Sequence, residues 1–158
     1  MQRRLFISAA GVGLVAPMAP AQAHHGWSSF DQSRPIYLEG KAVSVSWRNP
    51  HVEFDLEASA DLKLPPDLAT RALPGQSAPV DGAALLRAAQ LPTRKDRRWH
   101  IELAPLSRMQ AWGMPELKVG DAVALLGFTF AGEKGDAVLR AEYVFAGGKT
   151  YGLRSSPA

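Results

Sequence analysis

The sequence contains no cysteine. That excludes disulfides, thiolate metal sites, thiol nucleophiles and covalently attached c-type haem, so stability must come from packing. Net charge is also scarce: the formal value is +3 over 158 residues and falls to +1 when Arg3 and Arg4 are set aside with a leader that holds no acid. A near-neutral chain carries neither the electrostatic footprint of a nucleic-acid binder nor a polybasic membrane patch. No glycine loop of the phosphate-cradling kind occurs, because Gly11-x-Gly13 lies in the leader and Gly147-Gly148 has no helix after it. No apolar run spans a membrane either: the one from Ala9 to Ala21 is short and broken by Gly11, Gly13, Pro17 and Pro20. There is no internal repeat and no low-complexity segment.

What is present begins with an address. Met1-Gln2-Arg3-Arg4-Leu5-Phe6-Ile7-Ser8 is a basic start, Ala9 to Ala21 a short apolar middle, and Ala21-Gln22-Ala23 a small-residue cleavage site. Together they read as a secretory signal over residues 1–23, with a mature chain beginning at His24 in the periplasm. Arg3-Arg4 before Leu5-Phe6-Ile7 also resembles a twin-arginine export signal, although Gln2 and Ser8 depart from that pattern, so both export routes stay open. The remaining 135 residues are the size of one domain, and a 46% hydrophobic composition can supply its core.

Within the mature chain, residues 24–34 read as an extended arm anchored by Trp27 and Phe30. Pro35 to Ala58 reads as a hairpin: two alternating runs, Ile36 to Trp47 and Val52 to Ala58, hinged at Arg48-Asn49-Pro50-His51. In the first run the apolar phase changes from Ile36 and Leu38 to Val43, Val45 and Trp47, which demands an extra residue, placed at Gly40. The second run points Val52, Phe54 and Leu56 inward and Glu53, Asp55 and Glu57 outward. Residues 59–98 form a long insert with one short helix over Gly82 to Gln90 and a basic run, Arg94-Lys95-Asp96-Arg97-Arg98, expected as a solvated flank.

Strand three follows over Trp99 to Leu103, then a short helix over Leu106 to Trp112 ended by Gly113. Strand four runs from Ala122 to Phe130, with a second bulge at Gly127, and strand five from Val138 to Phe145. Gly147-Gly148 breaks the chain before a partly loose tail, 149–158. The expected fold is all-β: a small five-stranded OB-like barrel over residues 35–148, with one short helix between strands three and four and a long insert between strands two and three. Every connection in this reading can be antiparallel, so no crossover helix is demanded, and a small open β-sandwich is the alternative.

Four segments carry a resemblance: His24-His25-Gly26-Trp27-Ser28-Ser29-Phe30-Asp31, Ile36-Tyr37-Leu38-Glu39-Gly40, Trp47-Arg48-Asn49-Pro50-His51 and Leu117-Lys118-Val119-Gly120-Asp121. They are similar to an exported bacterial family of unknown function, a DUF family whose mature chains begin His-His and carry a Trp-x-Asn-Pro-His turn. The resemblance leaves the insert unmatched and implies no activity. It supports the signal, the arm and the barrel.

Three histidines are the candidate metal ligands. A free N-terminus at His24 offers an amine and an imidazole to one ion, a pair that favours copper(II), and His51 or His25 would complete the site. Adjacent rings rarely share one ion without strain, so His24 with His51 is the better pair. Met109 and Met114 read as core filler and His100 as a surface residue. The acidic face of strand two repels phosphate, which disfavours nucleic acid. No motif identifies a reaction, and Ser107-Arg108 has no histidine base nearby in sequence.

The preferred reading is a periplasmic, non-enzymatic binding module for an unknown ligand or partner docking near the arm and the Asn49-Pro50-His51 turn. A copper-binding protein, carrier or redox enzyme, and a structural accessory subunit of an envelope complex are the alternatives.

Overall fold

The structure, a computed structural model, describes residues 26–158; residues 1–25, which include the expected signal and both His24 and His25, lie outside the described residues. The strands are β1 (Ile36–Ser46), β2 (Glu53–Ala58), β3 (Arg98–Glu102), β4 (Ala122–Phe128), β5 (Val138–Ala146) and β6 (Lys149–Gly152), with helices α1 (Gly82–Ala88) and α2 (Leu106–Ala111). Their order is β3-β2-β1-β4-β5-β6, and β3 also pairs β5, so five strands close an OB-like barrel and β6 lies outside it.

Consecutive strands that pair do so antiparallel, as their connections allow, and only the closure departs from this. The β3–β5 seam, from His100↔Val138 to Glu102↔Arg140, is parallel. An odd number of strands cannot close a ring with each neighbour reversed, so one parallel pair is unavoidable. The tail differs as well. Gly147 and Gly148 both adopt positive φ (58° and 74°) and reverse the chain in a tight turn, so Lys149–Gly152 returns along β5 as β6. Beyond β6 the tail stays attached: the Trp112 indole N–H donates to the Ser155 carbonyl at 2.9 Å and Arg108 donates to that of Leu153 at 3.0 Å.

Both expected irregularities occur, and one is displaced. In β1 the register against β2 shifts between Ala42 and Ser44, so Val43 is the extra residue. Gly40 serves a different need, because a Cβ there would overlap the Glu57 carbonyl. Between β4 and β5 the shift falls at Leu126/Gly127, with Glu142 as the extra residue on β5.

The barrel interior is filled by Ile36, Leu38, Phe54, Leu56, Trp99, Ile101, Leu125 and Leu139. Met109, Met114 and Leu117 join them from α2 and the chain after it, so both methionines are core residues. Gly113 ends α2 at φ 60°, in the left-handed conformation that glycine adopts without a Cβ penalty.

The insert packs as a second layer. Asp81 caps α1 by accepting the Ala84 N–H at 2.9 Å, and α1 lays Leu86 with Leu68 on Tyr37, Leu126 and Tyr143, the outward side chains of β1, β4 and β5. Three consecutive residues, Ile36, Tyr37 and Leu38, are therefore buried together, one facing the cover and its neighbours facing the interior. The arm is held as expected: Phe30 stacks on Phe130 with centroids 5.0 Å apart, and Trp27 meets Phe128 edge to face at 6.3 Å.

Candidate functional site

The displaced bulge creates an opening. Where Val43 is pushed out of register, a groove of about 650 Å³ runs over β1, the end of β2 and the start of β4. Its floor is small and apolar (Val43, Ala58, Ala122, Val123, Ala124), and its rim carries Glu39, Lys41, Glu57 and Arg97. Glu39 accepts the Tyr37 hydroxyl at 2.6 Å. Burial, reinforced by that carboxylate, pushes the Tyr37 phenol above its ordinary range, so it stays a neutral donor. Glu57 pairs with Arg97 at 3.6 Å, and Arg97 also donates to the Ala58 carbonyl at 3.1 Å. Lys41 is exposed and, among the described residues, is the one charge on the rim with no ion-pair or hydrogen-bond partner. The groove lies toward the far end of the β1–β2 hairpin from Asn49-Pro50-His51.

On the outer face of β2 and β3, the acid-only surface expected from β2 is laced with cations. Register sets Asp55 opposite His100 and Glu57 opposite Arg98. Arg98 reaches Asp55 at 3.5 Å, and the His100 ring lies between two carboxylates, Nδ1 at 3.2 Å from Asp55 and Nε2 at 3.7 Å from Glu53. The basic run thus supplies counter-charges to β2 as well as a loop flank. Both ring nitrogens of His100 therefore face carboxylates.

Of the histidines picked out as metal ligands, only His51 is among the described residues. It is half-buried in the loop between β1 and β2, after the cis Asn49-Pro50 bond. No group of three or more histidine, aspartate or glutamate side chains is placed to hold a metal ion among the described residues.

A network that the sequence reading missed surrounds the arm. Arg140 and Glu102, both buried, pair at 3.4 Å across the β3–β5 seam. Burial lowers the Arg140 pKa, and Glu102 acts against that shift. Arg154 pairs with the fully buried Glu142 at 2.6 Å and lies 3.7 Å from the centre of the Trp27 ring, with Arg140 at 5.1 Å. The signal for it was Arg140 and Glu142 standing inside the apolar run Val138 to Phe145: a charge within a buried strand needs a partner.

A family model described as Family of unknown function (DUF6152) matches residues 12–63, which take in the arm, β1 and β2. This agrees with the resemblance to a family of unknown function. No curated protein and no solved structure matches the chain.

Proposed function

We propose that this chain is a non-enzymatic binding module that works in the periplasm after export, with its ligand or partner seated at the groove beside Val43. The observation that carries the reading is the groove itself: an apolar floor opened by a bulge, with an unpartnered Lys41 at its rim. A concave, mostly apolar site with a few polar groups around it is the common form of a ligand site. The paired state of Glu57 with Arg97, and of His100 with two carboxylates, argues for recognition over catalysis.

The test is a fragment screen read by amide chemical shifts on the chain beginning at His24. The expected result is a set of shifts centred on Lys41, Val43 and Ala122–Ala124 that disappears in a folded Val43→Trp variant. Shifts that ignore that variant, or turnover of a bound fragment, would overturn the reading. Mass spectrometry of the exported protein checks the address, with an N-terminus at His24 expected.

A copper site remains the second reading, and one observation favours it. The described arm starts at Gly26 and leads at once into Trp27, which lies against Arg140. Arg140 pairs with Glu102, and Glu102 is opposite Glu53, two residues from His51. Copper(II) titration of the chain beginning at His24 should then give one equivalent bound, lost in His51→Ala. Titration that matches an unrelated protein's background would remove this reading.

A further inference from the structure

Strand β1 is paired along only part of one side. Its first half, Ile36 to Lys41, pairs β4, while β2 pairs it from Gly40 to Ser46. Ala42 ends the β4 side, exchanging bonds with the loop at Asp121 (2.9 Å) and Gly120 (2.7 Å).

Register tells which backbone groups come next on that side. The His100 N–H donates to Ala137, so the backbone of His100 faces β5, and its partner Asp55 turns its own toward β1. Phe54 then faces β3, and Val45, opposite Phe54, turns its N–H and C=O away from β2. Among the described residues, nothing on that side bonds Val45, and Trp47, two residues on, has no backbone partner either.

This edge lacks the usual defences. From Ala42 to Trp47 there is no charge and no proline, whereas edges left to solvent usually carry one or the other. Beside it stands the turn Lys118 to Asp121, closed by the Asp121 N–H on the Lys118 carbonyl at 3.0 Å, with Val119 68% exposed at its tip. Exposed cations surround the edge: Lys41 and Arg48 at the two ends of the open stretch, and Lys118 in the turn. Two exposed acids stand beside them, Glu116 ahead of the turn and Asp121 in it, whose carboxylate accepts the Lys118 N–H at 2.8 Å, so these five charges leave a net +1.

We infer that the β1 edge at Val45 and Trp47 receives an extended segment of a partner polypeptide, with an apolar centre and acidic flanks, as an added strand. The inference rests on the binding-module reading and names a partner for the strand that borders the groove, since Lys41 and Val43 line the groove and Val45 and Trp47 follow them along the chain. Main-chain bonds to Val45 and Trp47 hold the strand, Val119 offers its centre an apolar contact, and the three cations select acids at its ends. A second copy of this chain fits less well, because strand exchange would bring two sets of these cations together along one short seam.

The experiment uses the chain beginning at His24 and a short acetylated peptide of alternating valine and threonine flanked by aspartates. Val45→Pro removes the edge donor while leaving the β2 ladder intact; Val45→Ala removes the same side-chain bulk and keeps the donor. The expected result is saturable, salt-sensitive binding that slows exchange of the Val45 amide, survives Val45→Ala and weakens at least about tenfold in Val45→Pro.

Binding that survives Val45→Pro overturns the inference, as does a Val45 amide already protected in the free protein. A dimer that excludes the peptide and dissociates in Val45→Pro would assign the edge to a second copy and also overturn it. If the peptide fails while fragments still bind at Val43, this inference falls and the binding-module reading stands. If both fail, both fall.

Discussion

The carboxylate of Glu133 accepts the backbone N–H of Arg94 at 2.9 Å and thereby joins the β4–β5 turn to the end of the insert. The same carboxylate takes the Thr93 N–H at 2.9 Å and the Arg34 guanidinium at 2.6 Å, with its side chain 2% exposed. Arg94 returns the contact, donating to the Glu133 carbonyl at 3.0 Å.

Glu133→Gln should therefore destabilise the fold by about 1.5–3 kcal/mol, the range for hydrogen bonds to a charged group. Burial alone would raise the carboxyl's pKa, but the two backbone donors and Arg34 outweigh it and hold it below the ordinary carboxylate range. A depressed folded pKa gives stability that is fully present above the unfolded value, about 4.3 for glutamate. That stability fades as pH falls through the lower, folded value. Urea midpoints measured from pH 7 downward should fall more steeply below about pH 4 in the parent than in Glu133→Gln. Parallel curves would show that the contact is not charge-assisted.

Arg154→Met should be costlier than a surface substitution. It would leave Glu142, fully buried, with only the Gln76 amide at 3.4 Å and would take the nearer of two cations from the Trp27 ring. Removing one partner of a buried ion pair typically costs about 3–5 kcal/mol. Denaturant unfolding measures the loss, and replacing Glu142 with Gln in the same chain should restore part of it. A loss below about 1 kcal/mol, the range for exposed pairs, would mean that solvent reaches the pair.

These contacts mark where the sequence could be read and where it could not. Alternation in Val52 to Ala58 and the turn residues around Pro50 were enough to place β1 and β2, because local patterning governs a hairpin. Glu133 stands in a Gly-Glu-Lys-Gly run that reads as a hairpin turn by composition, and only the arrival of Thr93 and Arg94, 40 and 39 residues away, gives its carboxylate these partners. Gly147-Gly148 looked like a break because the partner that makes it a turn is the next short strand. The open edge at Val45 was invisible for a related reason: a strand's neighbours on each side come from different, distant segments. His24 and His25 lie outside the described residues, so of the three histidines proposed from sequence only His51 has a described position.

Gly40→Ala should show how tightly β1 approaches β2. The added Cβ would overlap the Glu57 carbonyl, a backbone atom that cannot rotate away. Overpacking of this kind costs about 1–3 kcal/mol or more. Relief would come by moving the Gly40↔Ala58 pairing, so the amide shifts of Lys41, Val43 and Ala58 should all change. A variant with parent stability and unchanged shifts would show that β1 and β2 sit farther apart than the structure places them.

Leu86→Ala tests whether the insert is a passenger or part of the fold. Leu86 is 3% exposed and packs with Leu68 against Tyr37, Leu126 and Tyr143, the outward residues of three barrel strands. Leu125 and Leu126 are adjacent, face opposite sides and are both fully buried, so β4 needs the barrel interior and the insert together. Both ends of the insert are also sewn to the barrel: Ser59 donates to Glu39 at 2.8 Å, and Gln90 brackets β1, accepting from Tyr37 at 2.8 Å and donating to Pro35 at 3.0 Å. The substitution should cost about 2–5 kcal/mol in a single unfolding transition. Exchange of the slow barrel amides at Leu125 and Leu139 should accelerate by the same free energy as that of α1. Two separate transitions, or faster exchange confined to α1, would make the insert an independent flap and leave the barrel stable with Tyr37, Leu126 and Tyr143 uncovered.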